Sequence, residues 1–104
     1  MSFKVVLLPA AEQDLLQLHE HVLTRELERD GDLGLADEAV SAIEAAIHSL
    51  TRHPFICRKA TDNPFLRELI IPFGRTGYVA LFEIASGELV VVSAVRHQRE
   101  DDYH

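Results

Sequence analysis

Two stretches of helical periodicity, separated by one acidic turn, dominate the first half of the chain and leave the second half little choice. From residue 10 to about 29, Leu15, Leu18 and Val22 recur at three- and four-residue steps, with Leu16, Leu23 and Leu27 widening the stripe. Pro9 suits the first turn of this helix, where a missing N–H is no loss. Glu12 and Asp14 fall where the helix dipole favours acids. Asp30-Gly31-Asp32 breaks the period. A second stripe, from about residue 35 to 52, sets Ala36, Val40, Ile43, Ile47 and Leu50 on one face with Ala39 and Ala46 beside it. Pro54 ends it at or just before His53. Two amphipathic helices joined by a short turn form an antiparallel hairpin, and its apolar face needs a cover.

The cover is written in period two. Residues 3–7 form a short opening strand that stops at Pro9. Residues 53–66 are irregular, punctuated by Pro54 and Pro64. Residues 67–71 then read as a strand stopped by Pro72, residues 78–84 as a second after the turn at Gly74 to Gly77, and residues 89–95 as a third after the tight turn Ala85-Ser86-Gly87-Glu88. The unbroken apolar run Leu89-Val90-Val91-Val92 marks a central strand. The expectation is an α+β domain of order β-α-α-β-β-β, an antiparallel sheet packed against an N-terminal helical hairpin. At 104 residues, with no repeat or linker, the chain is read as a single domain, 1–104.

Hydrophobic residues at 47% and charged ones at 26% fit a globular chain and not a disordered one. No apolar run approaches the roughly 20 residues that span a bilayer, so no membrane role is expected. The single cysteine, Cys57, has no partner for an internal disulfide, which suits a reducing cytoplasm, and reads as a half-buried thiol. The net charge of −7 is unevenly spread. Residues 1–50 hold ten acidic and three basic side chains, residues 51–99 hold four and seven, and the last five residues add Glu100, Asp101 and Asp102. An acidic total disfavours general nucleic-acid binding, because affinity there rests largely on phosphate neutralisation, and no direct sequence-specific DNA binding is expected. The second half presents at most a local cationic face.

The local sequence then adds a resemblance. Leu66-Arg67-Glu68-Leu69 is an arginine-bearing strand, and Gly77-Tyr78-Val79-Ala80-Leu81-Phe82-Glu83-Ile84 is an aromatic one. Val90-Val91-Val92-Ser93-Ala94-Val95 runs into Arg96-His97-Gln98-Arg99 and on to Glu100-Asp101-Asp102-Tyr103. With Leu50-Thr51-Arg52-His53-Pro54 closing the second helix, this series resembles the RelE/ParE toxin superfamily, in particular its ParE-like plasmid stabilisation proteins. The resemblance implies a toxin silenced by a cognate antitoxin. It also implies one of two actions: RelE-like members cut mRNA in the ribosomal A site, and ParE-like members poison DNA gyrase. The arginine that RelE-like members carry after the tyrosine of the aromatic strand falls on Val79, which can neither neutralise nor donate. Their C-terminal tyrosine corresponds to Tyr103, and their basic strand-end position to His97 or Arg99. The partial set favours the gyrase-type inhibitor, with no chemistry of its own, over the ribonuclease. A non-toxic interaction module of the same fold is the third reading.

Each candidate has a plainer reading beside it. Arg67, Arg96, His97 and Arg99 are candidate target contacts, and His97, Arg99 and Tyr103 are the weaker catalytic candidates. Arg96 and His97 are adjacent on a strand, so their side chains face opposite ways. His97 has the titration range of a general acid or base, or is a strand-end histidine. Arg96 pairs with an acid such as Glu68 or Asp101, or meets the target. Arg67 binds a target, an antitoxin carboxylate or its own surroundings. Arg75 is an exposed turn charge, and Tyr78 and Phe82 share a core face. His19 and His21, two apart on a helix, face different directions and make no metal pair. The turn at Gly74 to Gly77 has no helix after it and is no phosphate loop. No cofactor or metal is expected.

Overall fold

The computed structural model describes residues 2–98. Strand β1, Lys4–Leu7, hands over at Leu8 to helix α1, Pro9–Glu28, with proline in the first helical turn as its fixed φ allows. Helix α2, Leu35–His48, tightens into a 3-10 turn over Ser49–Thr51, so the α-helix proper ends four residues before Arg52. A second 3-10 turn, Pro54–Ile56, leads to a two-residue strand β2, Arg58–Lys59. Three long strands follow: β3, Leu66–Phe73, β4, Thr76–Ile84, and β5, Leu89–His97.

The sheet order is β1-β5-β4-β3-β2. The three long strands form the antiparallel meander expected of their short turns, while β1 lies parallel to β5 and makes the whole sheet mixed. The hairpin packs on one face, where Ile43 and Ile47 of α2 and Leu50 of the 3-10 turn after it share a core with Phe82, Val90, Val92, Ile71 and Tyr78. Small side chains bring the helices close: Ala11, Ala36 and Ala39 are almost wholly buried. Leu16 and Leu27, read above as part of the α1 stripe, instead lie outside it, 66% and 59% exposed.

Two local features set which side chain faces which way. Pro72 does not end β3, because the two-residue turn Gly74-Arg75 makes Phe73 and Thr76 the closing pair. Alternation then makes Pro72 and Gly77 a pair without hydrogen bonds, so the absent N–H faces the open edge, where proline is harmless. Gly74, at φ 60°, meets the left-handed demand of the first turn position. In β5, Leu81 faces Ala94 but Phe82 faces Val92, so Ser93 is an inserted bulge residue. Before the bulge Val90 and Val92 point to the helices; after it Val95 does. One extra residue thus turns over the end of the strand.

α1 also completes the sheet where β1 stops. The Leu8 N–H donates to the Val92 carbonyl at 2.9 Å, the last bond of that ladder. Asp14 then accepts from the Val95 N–H at 2.9 Å. Its carboxylate therefore does more than meet the helix dipole: it supplies the bond that a longer β1 would have made.

Candidate functional site

The face of the sheet away from the helices is open, and register decides what stands on it. Val6 and Val91 pair there, as do Val79 with Arg96 and with Ile70, Leu81 with Ala94 and with Glu68, and Glu83 with Leu66 and with Val91. Arg96 is exposed on this face, as alternation after the Ser93 bulge requires. Val79, across from it, is only 1% exposed and apolar. Arg58 on β2 is bonded to Glu68 at 2.9 Å, and Glu83 stands exposed on β4. The face is therefore an apolar sheet with cations and carboxylates in near balance.

His97 goes to the other face. Its Nε2 lies 3.0 Å from Thr76 Oγ1, and its ring meets the Tyr78 ring edge-on at 5.5 Å. Phe73 stacks on Tyr78 from the far side at 6.1 Å. Burial pushes the Tyr78 hydroxyl above its ordinary pKa, with the charge of Arg25 pulling partly back, so Tyr78 is a neutral core ring at physiological pH. Gly77 sits beside it at φ 145°, where a Cβ would run into the Ile71 carbonyl.

Arg67 is on the helix-side register opposite Phe82, not with Arg96. Its Nε and Nη1 donate to backbone: Nε to the Pro64 carbonyl at 2.7 Å, and Nη1 to the carbonyls of Cys57 at 2.8 Å and Phe55 at 3.4 Å. Its guanidinium also lies 5.5 Å from the Phe55 ring centre. Burial raises the Cys57 pKa, opposed by Arg67, so this thiol is protonated at neutral pH and no nucleophile. The structure thus separates Arg67, Arg96 and His97 among three surroundings. Arg99 and Tyr103 lie outside the described residues.

Three features were not visible in the pattern of residues. The first is an edge. Lys4 and Leu8 donate to Glu88 and Val92, so by alternation Val5 and Leu7 turn their N–H and C=O groups outward. A shallow groove beside them is lined by Val5, Leu7, Ile47, Glu44 and His48. The second is a cluster of exposed apolar side chains in the connection from α2 to β3: Phe55, Ile56 and Phe65, at 50%, 81% and 49% exposure. Large apolar residues inside a proline-punctuated loop were its available signal. The third is Glu26, 1% exposed at the end of α1. Its carboxylate takes Arg29 Nε at 2.9 Å, Arg25 Nε at 3.3 Å and the Asp32 N–H at 3.1 Å. Burial raises its pKa most, but these donors together outweigh that and hold it below the ordinary carboxylate value.

A family model described as the ParE toxin of the type II toxin–antitoxin system parDE matches residues 5–102. The chain belongs to the ParE toxin family. A curated relative, Toxin RelE3 of Caulobacter vibrioides, is 31% identical over 92 residues, 88% of this chain and 90% of that protein. The chromosomal ParDE toxin–antitoxin system from P. aeruginosa supplies a solved structure at a TM-score of 0.70, covering 92% of this chain and 96% of that one. At 18% identity that likeness shows the fold. The layout inferred from periodicity is thus the RelE/ParE fold, and this ParE family member is a toxin of the toxin–antitoxin type. Among the described residues no helix is long and apolar enough to cross a membrane.

Proposed function

We propose that this ParE family member arrests growth as ParE-like toxins do, by gripping a protein target, DNA gyrase, in the cytoplasm, within a plasmid stabilisation or equivalent pair. The observation that supports this is the open sheet face. Cutting RNA needs activation of the 2′-hydroxyl, charge stabilisation at the phosphate and protonation of the leaving oxygen. Here Val79 occupies the centre of the face, Arg58 is held by Glu68, and Glu83 adds a carboxylate to the face that carries Arg96. His97 faces the other way, against Thr76 and Tyr78. An apolar, charge-balanced face suits protein recognition better than a phosphate chain. In this reading Arg96, and Arg99 three residues on, contribute charge at the rim of the target contact.

A cognate antitoxin is the second partner. An amphipathic segment pairs its extended part with Val5 and Leu7 at the β1 edge and seats an apolar side chain beside Ile47. Left without it, the isolated chain is expected to self-associate.

The likeness to a protein named RelE3 favours one other reading, a ribosome-dependent mRNA endoribonuclease using His97, Arg99 and Tyr103. Inducing this chain alone in bacteria separates the two. The expected result is growth arrest with intact mRNA and filamentous, DNA-damaged cells. Fragmented mRNA at arrest would move the assignment to the ribonuclease. Normal growth with soluble expression would leave only an interaction module of this fold.

A further inference from the structure

We propose that the connection from α2 to β3 is a preformed docking surface for an acidic, apolar-bearing segment of the toxin's protein target. The inference rests on the gyrase-type reading and adds a second surface for the same target to the sheet face that carries Arg96. Ile56 is the most exposed of the large apolar side chains described, at 81%, and Phe55 and Phe65 are each about half exposed beside it. Phe55 and Phe65 come from opposite ends of the connection, yet their rings meet edge to face at 6.5 Å. An apolar cluster that large on the outside of a small domain is disfavoured unless something covers it.

The cluster is also held rigid. Arg67 ties the carbonyls of Pro64, Phe55 and Cys57 together from beneath. Asn63 Oδ1 accepts from the Phe65 N–H at 2.9 Å, and the Ala60 N–H donates to the Leu66 carbonyl at 2.9 Å. The Phe65 carbonyl in turn accepts from the Ile84 N–H at 2.8 Å, locking the end of the connection to β4. Side chains fixed in place before binding lose little entropy when a partner arrives.

Charge selects the partner. Arg58 is paired with Glu68 and Arg67 is bonded to backbone, which leaves Arg52 and Lys59 against the single acid Asp62 in residues 52–67, within a chain of net charge −7. Arg52, Arg58 and Lys59 are exposed along the same connection. The complementary surface is acidic with apolar side chains of its own. A nucleic-acid strand fits less well. The most exposed side chain, Ile56, is aliphatic and offers a base no ring to stack on, and the Phe55 ring is already met by Phe65 edge to face and by the Arg67 guanidinium. Beside the paired Arg58, two exposed cations, Arg52 and Lys59, are few for a phosphate chain. The cluster also lies at the β3 end of a sheet whose opposite edge is β1. The target surface and the edge proposed for the antitoxin are therefore distinct.

The test measures inhibition of supercoiling by purified DNA gyrase, and direct binding to it, for the wild type, Ile56→Glu, Phe65→Ser and Lys59→Glu. Circular dichroism melting and sedimentation equilibrium are run on each. Ile56→Glu is expected to weaken binding by on the order of tenfold or more, Phe65→Ser comparably and Lys59→Glu less, with melting of Ile56→Glu unchanged. Equal inhibition by wild type and all three variants would overturn the docking surface while leaving the gyrase reading intact. No effect of wild type on gyrase would overturn that reading, and this inference with it. A self-associated wild type that Ile56→Glu converts to monomer, without loss of gyrase inhibition, would make a second copy the occupant and would also overturn it.

Discussion

The two irregular connections flanking α2 use charge in opposite ways. Between α1 and α2, Glu26 is drawn inside and receives Arg25, Arg29 and the Asp32 N–H, while the Gly31 N–H donates to the Glu26 backbone carbonyl at 2.7 Å. Gly31 packs so closely that a Cβ there would meet the Glu26 carboxylate. Between α2 and β3 it is a cation, Arg67, that gathers backbone carbonyls, and the apolar side chains are left outside. A buried charge with every partner supplied fixes the angle of the hairpin and offers nothing to a visitor. A charge that holds Phe55 and Phe65 outward builds a surface to be read. The first connection belongs to stability and the second to recognition.

The sharpest way to break that contrast is Glu26→Gln. Four N–H donors, Arg29 Nε and Nη2, Arg25 Nε and the Asp32 N–H, would then converge on a neutral amide whose nitrogen repels two of them. The expected fall in melting temperature is larger than for any single change in residues 53–66. It carries a pH signature. The folded pKa of Glu26 lies below its ordinary value of 4.5, so its contribution is complete above that pH and drains away as pH falls through the lower folded value. The gap between wild type and Glu26→Gln should therefore narrow on the acid side. A gap constant from pH 7 to pH 3 would show that the charge of Glu26 contributes nothing.

Arg67→Ala comes next. It removes charge-assisted bonds to the carbonyls of Pro64 and Cys57, at a cost of roughly 1.5–3 kcal/mol by denaturant unfolding. Arg67→Lys should recover less than half of this, because one ammonium cannot span carbonyls that a planar fork reaches together. Full recovery by lysine would mean that the fork is not what holds the connection. The smallest effect is expected at the exposed pair His19–Asp37, 2.8 Å apart across the hairpin. Asp37→Asn should cost under about 1 kcal/mol and lose even that in salt. If it matched Glu26→Gln, burial would not be what separates the two kinds of charge.

Much of the fold could be read before any coordinates, because its signals are local. Both helices, the turn at Asp30-Gly31-Asp32 and the two C-terminal hairpins are each announced within a few residues. What escaped was non-local. The parallel pairing of β1 with β5 joins Lys4 to Leu89. β2 is a strand only because Glu68 and Arg67 lie beside it. Pro72 looked like a stop because the open edge that tolerates it is a property of the sheet. The candidate site divides the same way. Alternation placed Arg96 and His97 on opposite faces, but the bulge at Ser93 decides which face each takes, and nothing in the Val-rich run marks it. Arg67 was visible as a cation. That it serves its own loop depends on carbonyls up to twelve residues away.

The claim beneath all of this is that the chain acts by recognition and not by cutting RNA. Its most direct test is to add the purified protein to ribosomes translating a defined message and to map the 5′ ends that appear. The expected result is an intact message at every concentration that inhibits gyrase. New ends in the ribosomal A site, abolished by His97→Ala but not by Ile56→Glu, would contradict it.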